Sequence, residues 1–299
     1  MNLRRTLTLS AAATALALTL AACGSSGHAM PMNSPSSAPG SSLPGSSMPG
    51  MDMSGPDTDG LSDTLDGYHL TGLPGTLPPG QDSTVTFRIT GPDGKPVTAF
   101  ATEQTKQLHF YAIRGDLTGF QHLHPTLTAD GTWTAQVSAL QSGSWRFFTT
   151  FTPSSGPGAG KGYVLSGTAT AGGQQQTVPL PAPTATVTTP DGYQVTAGTP
   201  GGHLMAGMEH QLTVTISKDG KPVTDLQPYL ETYAHLTAFH TGDQAFAHLH
   251  PQTAVNGDHG GPELTFHAEL PKPGDWRLFL QFQTGGRLHT AALTMTAEG

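Results

Sequence analysis

The chain predicts an all-β protein: two tandem immunoglobulin-like β-sandwich domains carried behind a non-globular N-terminal tether. Three observations carry this expectation. Motifs recur at a fixed spacing, apolar residues alternate with period two, and 38 Gly with 25 Pro among 299 residues punctuate the chain with turns. At 35% apolar and 11% charged, the composition is too apolar for a wholly disordered chain and too poor in charged helix formers for a helical one.

Residues 1–22 have the plan of an export signal. Arg4 and Arg5 precede an apolar run from Leu7 to Leu20, shorter than the roughly 20 residues a bilayer span needs. Leu20-Ala21-Ala22-Cys23-Gly24 resembles a bacterial lipobox, and Cys23 is the only cysteine of the chain. The expectation is lipidation at Cys23 and an extracytoplasmic protein anchored to the membrane. Residues 23–60 are Ser, Gly, Pro and Met with hardly a branched aliphatic, so they bury too little to offset backbone entropy and read as a flexible tether spanning about 35 Å. Met30, Met32, Met48, Met51 and Met53 cluster there without a core to fill.

The remainder repeats. Asp93-Gly94-Lys95-Pro96-Val97-Thr98 returns as Asp219-Gly220-Lys221-Pro222-Val223-Thr224, and Phe120-Gln121-His122-Leu123-His124-Pro125 returns as Phe246-Ala247-His248-Leu249-His250-Pro251. Trp145-Arg146-Phe147-Phe148 returns as Trp276-Arg277-Leu278-Phe279. Two domains follow, 66–172 and 191–299, joined by a linker over 173–190. Within them Val85, Phe87 and Ile89 alternate with Thr84, Thr86 and Arg88, as Leu212, Val214 and Ile216 do in the second copy. Trp276, Leu278, Leu280 and Phe282 share one face of a strand, with Arg277, Phe279, Gln281 and Gln283 on the other. Turn pairs such as Asp93-Gly94 and Gly242-Asp243 separate about seven short strands per copy.

The histidines are the unusual feature: 14 of them, against 13 Lys plus Arg and 21 Asp plus Glu, with a formal net charge of −8. His109 stands before His122 and His124 as His235 stands before His248 and His250. If a hairpin turn centres on Gly242-Asp243, cross-strand residue numbers sum to 485, which sets His235 opposite His250 and Phe239 opposite Phe246. His248, two residues from His250, then emerges on the same face. Three imidazoles on one patch can hold one ion at about 2.0–2.1 Å per nitrogen. His235, His248 and His250 are the leading ligand candidates, with His109, His122 and His124 the second set. Copy two is favoured because His240 and His289 stand where copy one has Arg114 and Tyr163, and a cation beside a triad disfavours a second charge.

His203, Met205, Met208 and His210 open copy two and, with His240 and His289, are secondary candidates. Thioether and imidazole together in an oxidising compartment favour copper, with zinc the less favoured ion. A blue-copper centre is excluded, because its thiolate would have to come from Cys23. The acidic balance excludes nucleic acid as a partner, and no nucleophile elbow, phosphate loop or paired catalytic carboxylates mark an enzyme. The resulting expectation is an extracytoplasmic lipoprotein that buffers or transfers copper. The rival is an envelope structural or protein-interaction module; a pH sensor is a further reading, since 14 His can take up charge.

Gly202-His203-Leu204, Lys221-Pro222-Val223-Thr224 through Tyr229-Leu230, His235-Leu236, His248-Leu249-His250-Pro251, Trp276 to Phe282 and His289-Thr290 resemble a family of exported bacterial proteins. The family is frequent in actinobacteria, largely uncharacterised and in part described as heavy-metal-binding. The resemblance covers copy two closely and copy one more loosely. It implies export and the sandwich fold, and points towards metal.

Overall fold

The computed structural model describes residues 59–299, and their regular structure is strand. The export signal, Cys23 and the methionine-rich segment lie outside the described residues. The first domain contains β1 (Thr64–Leu65), β2 (Tyr68–Thr71), β3 (Thr76–Leu77), β4 (Ser83–Thr90), β5 (Leu108–Arg114), β6 (Gln121–Leu123), β7 (Thr126–Leu127), β8 (Thr132–Val137), β9 (Gly143–Phe151) and β10 (Tyr163–Ala171). The second contains β11 (Thr186–Thr188), β12 (Tyr193–Gly198), β13 (Glu209–Lys218), β14 (Lys221–Pro222), β15 (Ala234–His240), β16 (Phe246–Pro251), β17 (Glu263–Glu269), β18 (Gly274–Thr284) and β19 (Arg287–Ala297).

Each copy is an immunoglobulin-like sandwich whose core is the apolar half of the alternation. Val85, Phe87 and Ile89 of β4 pack with Trp133, Trp145 and Phe147 in the first, and Leu212, Val214 and Ile216 of β13 with Trp276, Leu278 and Phe282 in the second. The sheet orders are β1-β2-β4-β8-β7 and β3-β10-β9-β5-β6 in the first copy. In the second, the path β11-β12-β13-β17-β16-β15-β18-β19 is continuous, because β16 pairs with β15 through Phe246–Leu249 and with β17 through His250–Pro251. The His-Leu-His-Pro strand is thus the one that crosses from sheet to sheet, a corner position in such sandwiches. In copy one the same crossing separates β6 from β7.

The predicted hairpin register holds from Leu236–Leu249 to Phe239–Phe246, but the expected His235–His250 pair is not part of it: His235 lies opposite Gln281 and His250 opposite His267. Leu236 faces Leu249, Thr237 faces His248 and Phe239 faces Phe246; in copy one Phe110 faces Leu123 and Tyr111 faces His122. The even-numbered residues Phe110, Ala112, Leu236 and Ala238 enter the sandwich cores, so the odd-numbered His109, Tyr111, His235 and Phe239 leave on the opposite face.

That opposite face is not solvated, because the two domains bury it against each other. Tyr111, Ile113, Leu117, Phe148 and Val164 of the first form one apolar cluster with Phe239, Phe246 and Phe279 of the second. Repeat-equivalent residues meet reciprocally: Phe120 stacks on Phe279 at 4.3 Å between centroids, and Phe246 lies 5.4 Å from Phe148. This is the geometry of an isologous dimer interface, built here within one chain.

Two boundaries move. Asp59 to Leu65, read as tether and gap, is already placed: the Asp59 carbonyl accepts from Phe246 N–H at 2.8 Å, its carboxylate pairs with Lys272, and Leu61 packs on the second core. The linker is tied to the first domain by Arg114, which donates to the Gln176 carbonyl at 2.8 Å, and by Asp116, which accepts from Val178 N–H at 2.9 Å.

Candidate metal centre

The β5/β6 hairpin of the first domain brings His109, His122 and His124 together on the face that meets the second domain. One ring nitrogen from each lies within 4.8 Å of the others, one of two such donor groups among the described residues. Strand β5 supplies His109, β6 supplies His122, and His124 follows β6 at the crossing. Their ring centroids are 4.8–5.2 Å apart.

The Glu103 carbonyl fixes the tautomer of His109, and that of His122 follows from the end of the Gln281 amide that faces it, here Oε1. His109 Nε2 donates to the Glu103 carbonyl at 3.2 Å, leaving a lone pair on Nδ1. His122 Nδ1 donates to Gln281 Oε1 at 2.8 Å, leaving a lone pair on Nε2. Those two bare nitrogens face each other at 3.0 Å. Two lone pairs at that distance repel unless a proton or a cation sits with them, and two imidazoles so placed can share an ion at the usual about 2.0–2.1 Å. His124 Nε2 and, from the second domain, His235 Nδ1 are buried without a hydrogen-bond partner among the described residues. His235 Nε2 is held by the Tyr229 carbonyl at 2.9 Å, repeating the His109–Glu103 arrangement, and its ring is 6.0 Å from that of His122. Metal-ligating histidines characteristically donate their other N–H to a carbonyl or carboxamide. The donor set fits a cation.

Burial keeps the rings neutral, the form that ligates. Desolvation lowers His109 and His235 to about 4 and His124 to about 3, and pushes His122 and His248 well below the ordinary histidine value; neighbouring imidazoles add to the effect for His122, His124 and His248.

The closer donor set lies in copy one, where copy two was expected to lead. Among the described residues, His235, His248 and His250 do not bring their donor atoms as close together as the copy-one set. His248 and His250 sit 5.1 Å apart by ring centroids, with His248 across the strand from Thr237. One difference between the repeats bears on this. Gln281, opposite His235, contacts His122 Nδ1, and its repeat equivalent opposite His109 is the shorter Thr150. Gln281 escaped the sequence reading, which set it on one face of its strand without placing that strand beside His235. Arg114 does not stand beside the triad either: its guanidinium pairs with Asp116 at 3.2 Å and binds Gln141 and the linker.

The secondary candidates are held elsewhere. His240 is pinned between Asp243 at 2.8 Å and the Pro273 carbonyl, and His289 between Asp191 at 2.5 Å and Thr284. His203 pairs with Glu298, and His210 Nε2 accepts from Met205 N–H at 2.9 Å. Met208 is exposed. None of these six belongs to the triad.

Solved structures match the chain at low similarity. The Escherichia coli adhesin FdeC is 15% identical with a TM-score of 0.26, over 79% of this chain and 65% of that structure. InvD of Yersinia pseudotuberculosis is 17% identical with a TM-score of 0.25, over 77% and 57%. The N-terminal Ig1-2 module of the Drosophila receptor protein tyrosine phosphatase DLAR is 9% identical with a TM-score of 0.21, over 78% and 99%. The chain therefore spans just under two thirds of the FdeC structure. No curated protein matches the chain in sequence. Both sandwiches, residues 63–157 and 185–299, match one family model, and the chain belongs to that family, described as a domain of unknown function (DUF8832).

Proposed function

We propose that this protein is an extracytoplasmic lipoprotein that binds copper at the centre shared by its two domains, with His109, His122 and His124 as ligands and His235 facing them from the second domain. It buffers the ion or hands it on. The observation that carries this reading is the convergence of His109, His122 and His124, with His109 Nδ1 and His122 Nε2 3.0 Å apart and, with Gln281 Oε1 facing His122, both free of the outer hydrogen bonds. An all-imidazole set favours Cu(II) over Zn(II) by the general order of divalent affinities. Met205 and Met208 do not join the centre, so soft-sulfur binding of Cu(I) rests on the methionines preceding residue 59. The lipid anchor rests on the Leu20–Cys23 motif. The aromatic face that an interaction module would present is consumed between the two domains.

The test is titration of the soluble chain beginning at Gly24 with Cu(II) and Zn(II) against a competing chelator. One tight equivalent is expected, with Cu(II) preferred, and with affinity falling about 100-fold or more in His109→Ala/His124→Ala. Weak binding that the double variant leaves unchanged would return these histidines to a structural role.

A further inference from the structure

The second donor group among the described residues is Glu209, His267 and Glu269, whose ligand atoms also lie within 4.8 Å of one another. Glu209 faces Glu269 across β13 and β17, and His267 Nε2 is 3.6 Å from Glu209 Oε1. Phe266 and Ala268 enter the core, which turns His267 and Glu269 outward, and Glu209 is exposed. Two carboxylates and one imidazole at a solvated surface carry a net negative charge. They offer a cation mixed oxygen and nitrogen donors with open positions for water, a combination suited to fast capture and fast release.

This group does not stand alone. His250 is the direct cross-strand partner of His267, so the two imidazoles leave adjacent backbone positions on the same outward face, with Cβ atoms about 4.5–5.5 Å apart. His248 follows, its ring 5.1 Å from that of His250. It stands across the strand from Thr237, two residues from His235 on the same face, with its ring stacked on that of the interface residue Phe246. The crossing strand β16 makes the path: its first half belongs to the sheet at the domain interface and its last residues to the sheet bearing His267, so one outward row of histidines runs from solvent to interface. The other non-triad histidines of this domain named above, His203, His210, His240 and His289, are each bound to a carboxylate, a carbonyl, a hydroxyl or a backbone N–H. The copy-one strand corresponding to β17, Thr132–Val137, carries no His, Asp or Glu, so the path has one mouth.

Resting on the metal-binding reading above, we propose that Glu209, His267 and Glu269 form an outer capture site that loads Cu(II) into the His109/His122/His124 centre by way of His250 and His248. The capture site governs rates, not affinity. Removing it slows loading and unloading together, because both directions pass through the same residues.

The experiment is stopped-flow mixing of the soluble chain beginning at Gly24 with Cu(II) supplied as a weak amino-acid chelate, followed by quenching of tryptophan fluorescence. Release to a strong chelator is measured in parallel. In Glu209→Gln/His267→Gln/Glu269→Gln both rates are expected to fall about tenfold or more, with the equilibrium affinity within about threefold of the parent. The charge control Asp219→Asn/Asp258→Asn, which neutralises two exposed carboxylates on loops, is expected to load at the parental rate. Unchanged rates in the triple variant, or equal slowing in the charge control, overturn the route and leave the buried centre standing. A parent chain that takes up no Cu(II) overturns the metal-binding reading, and the route with it.

Discussion

Gln281 sets the histidines of copy one apart from those of copy two. Its side chain crosses the interface to accept from His122 Nδ1, and it is itself the neighbour of His235 on the adjacent strand. Gln281→Leu leaves all the proposed ligands in place yet frees the His122 ring, and Cu(II) affinity is expected to drop about 10–100-fold, the usual effect of losing an outer hydrogen bond to a ligand. The chelator competition that measures the parent measures this variant. The same burial has a consequence for the metal-free protein. His109 and His235, held near 4 when folded against about 6.5 when unfolded, bind fewer protons in the folded state between those values. Stability is therefore complete above about pH 6.5 and is lost as pH falls towards 4, by up to about 1.4 kcal/mol per pH unit for each such group. Urea unfolding at pH 7.5, 6 and 5 in the presence of a chelator reads the slope; a flat profile would contradict the buried neutral rings.

The crossing strand β16 combines three duties along six residues. Leu249 enters the core of its own sandwich, Phe246 joins the interface cluster, and His248 and His250 form the row beside it. Period two permits this because adjacent residues point to opposite faces, and a slip of one residue would exchange core for interface. Phe246 is buried against Tyr111, Phe148 and Phe239. Phe246→Ala is expected to destabilise the protein by about 3–5 kcal/mol, as large core truncations do, and to weaken Cu(II) binding by loosening the face that positions Gln281. His267→Ala, at a partly exposed position, is expected to change stability by no more than about 0.5 kcal/mol. Chemical denaturation of the two variants side by side checks both.

The two sandwiches form a dimer within one chain, and their contact is apolar and reciprocal. Coupled through such a face, they are expected to unfold in a single calorimetric transition, where loosely linked modules would show two. A ligand that binds only the folded pair stabilises it by about 2.7 kcal/mol at a hundred times its Kd, which for a unit of this size raises Tm by about 5–10 °C. Calorimetry with and without Cu(II) gives both results. The rise should be absent in His109→Ala/His124→Ala.

The repeat, the period-two alternation and the turn pairs determined the two sandwiches, and the spacing from His235 to His250 with Gly242-Asp243 between them determined a hairpin register that the strands reproduce. These are local quantities, set by backbone geometry within one hairpin. The tertiary structure alone decided that the histidine face is closed by the other domain, that copy one holds the converging donors, and that His267 stands next to His250. Phe239 and Phe246 share the histidines' parity while Leu236 and Leu249 take the other, so both faces of the hairpin read as partly apolar and the pattern could not say which was covered by what. Which nitrogens are left bare depends on the Glu103 carbonyl, six residues from His109, and on Gln281, distant in sequence, whose contribution exists only once the domains are packed.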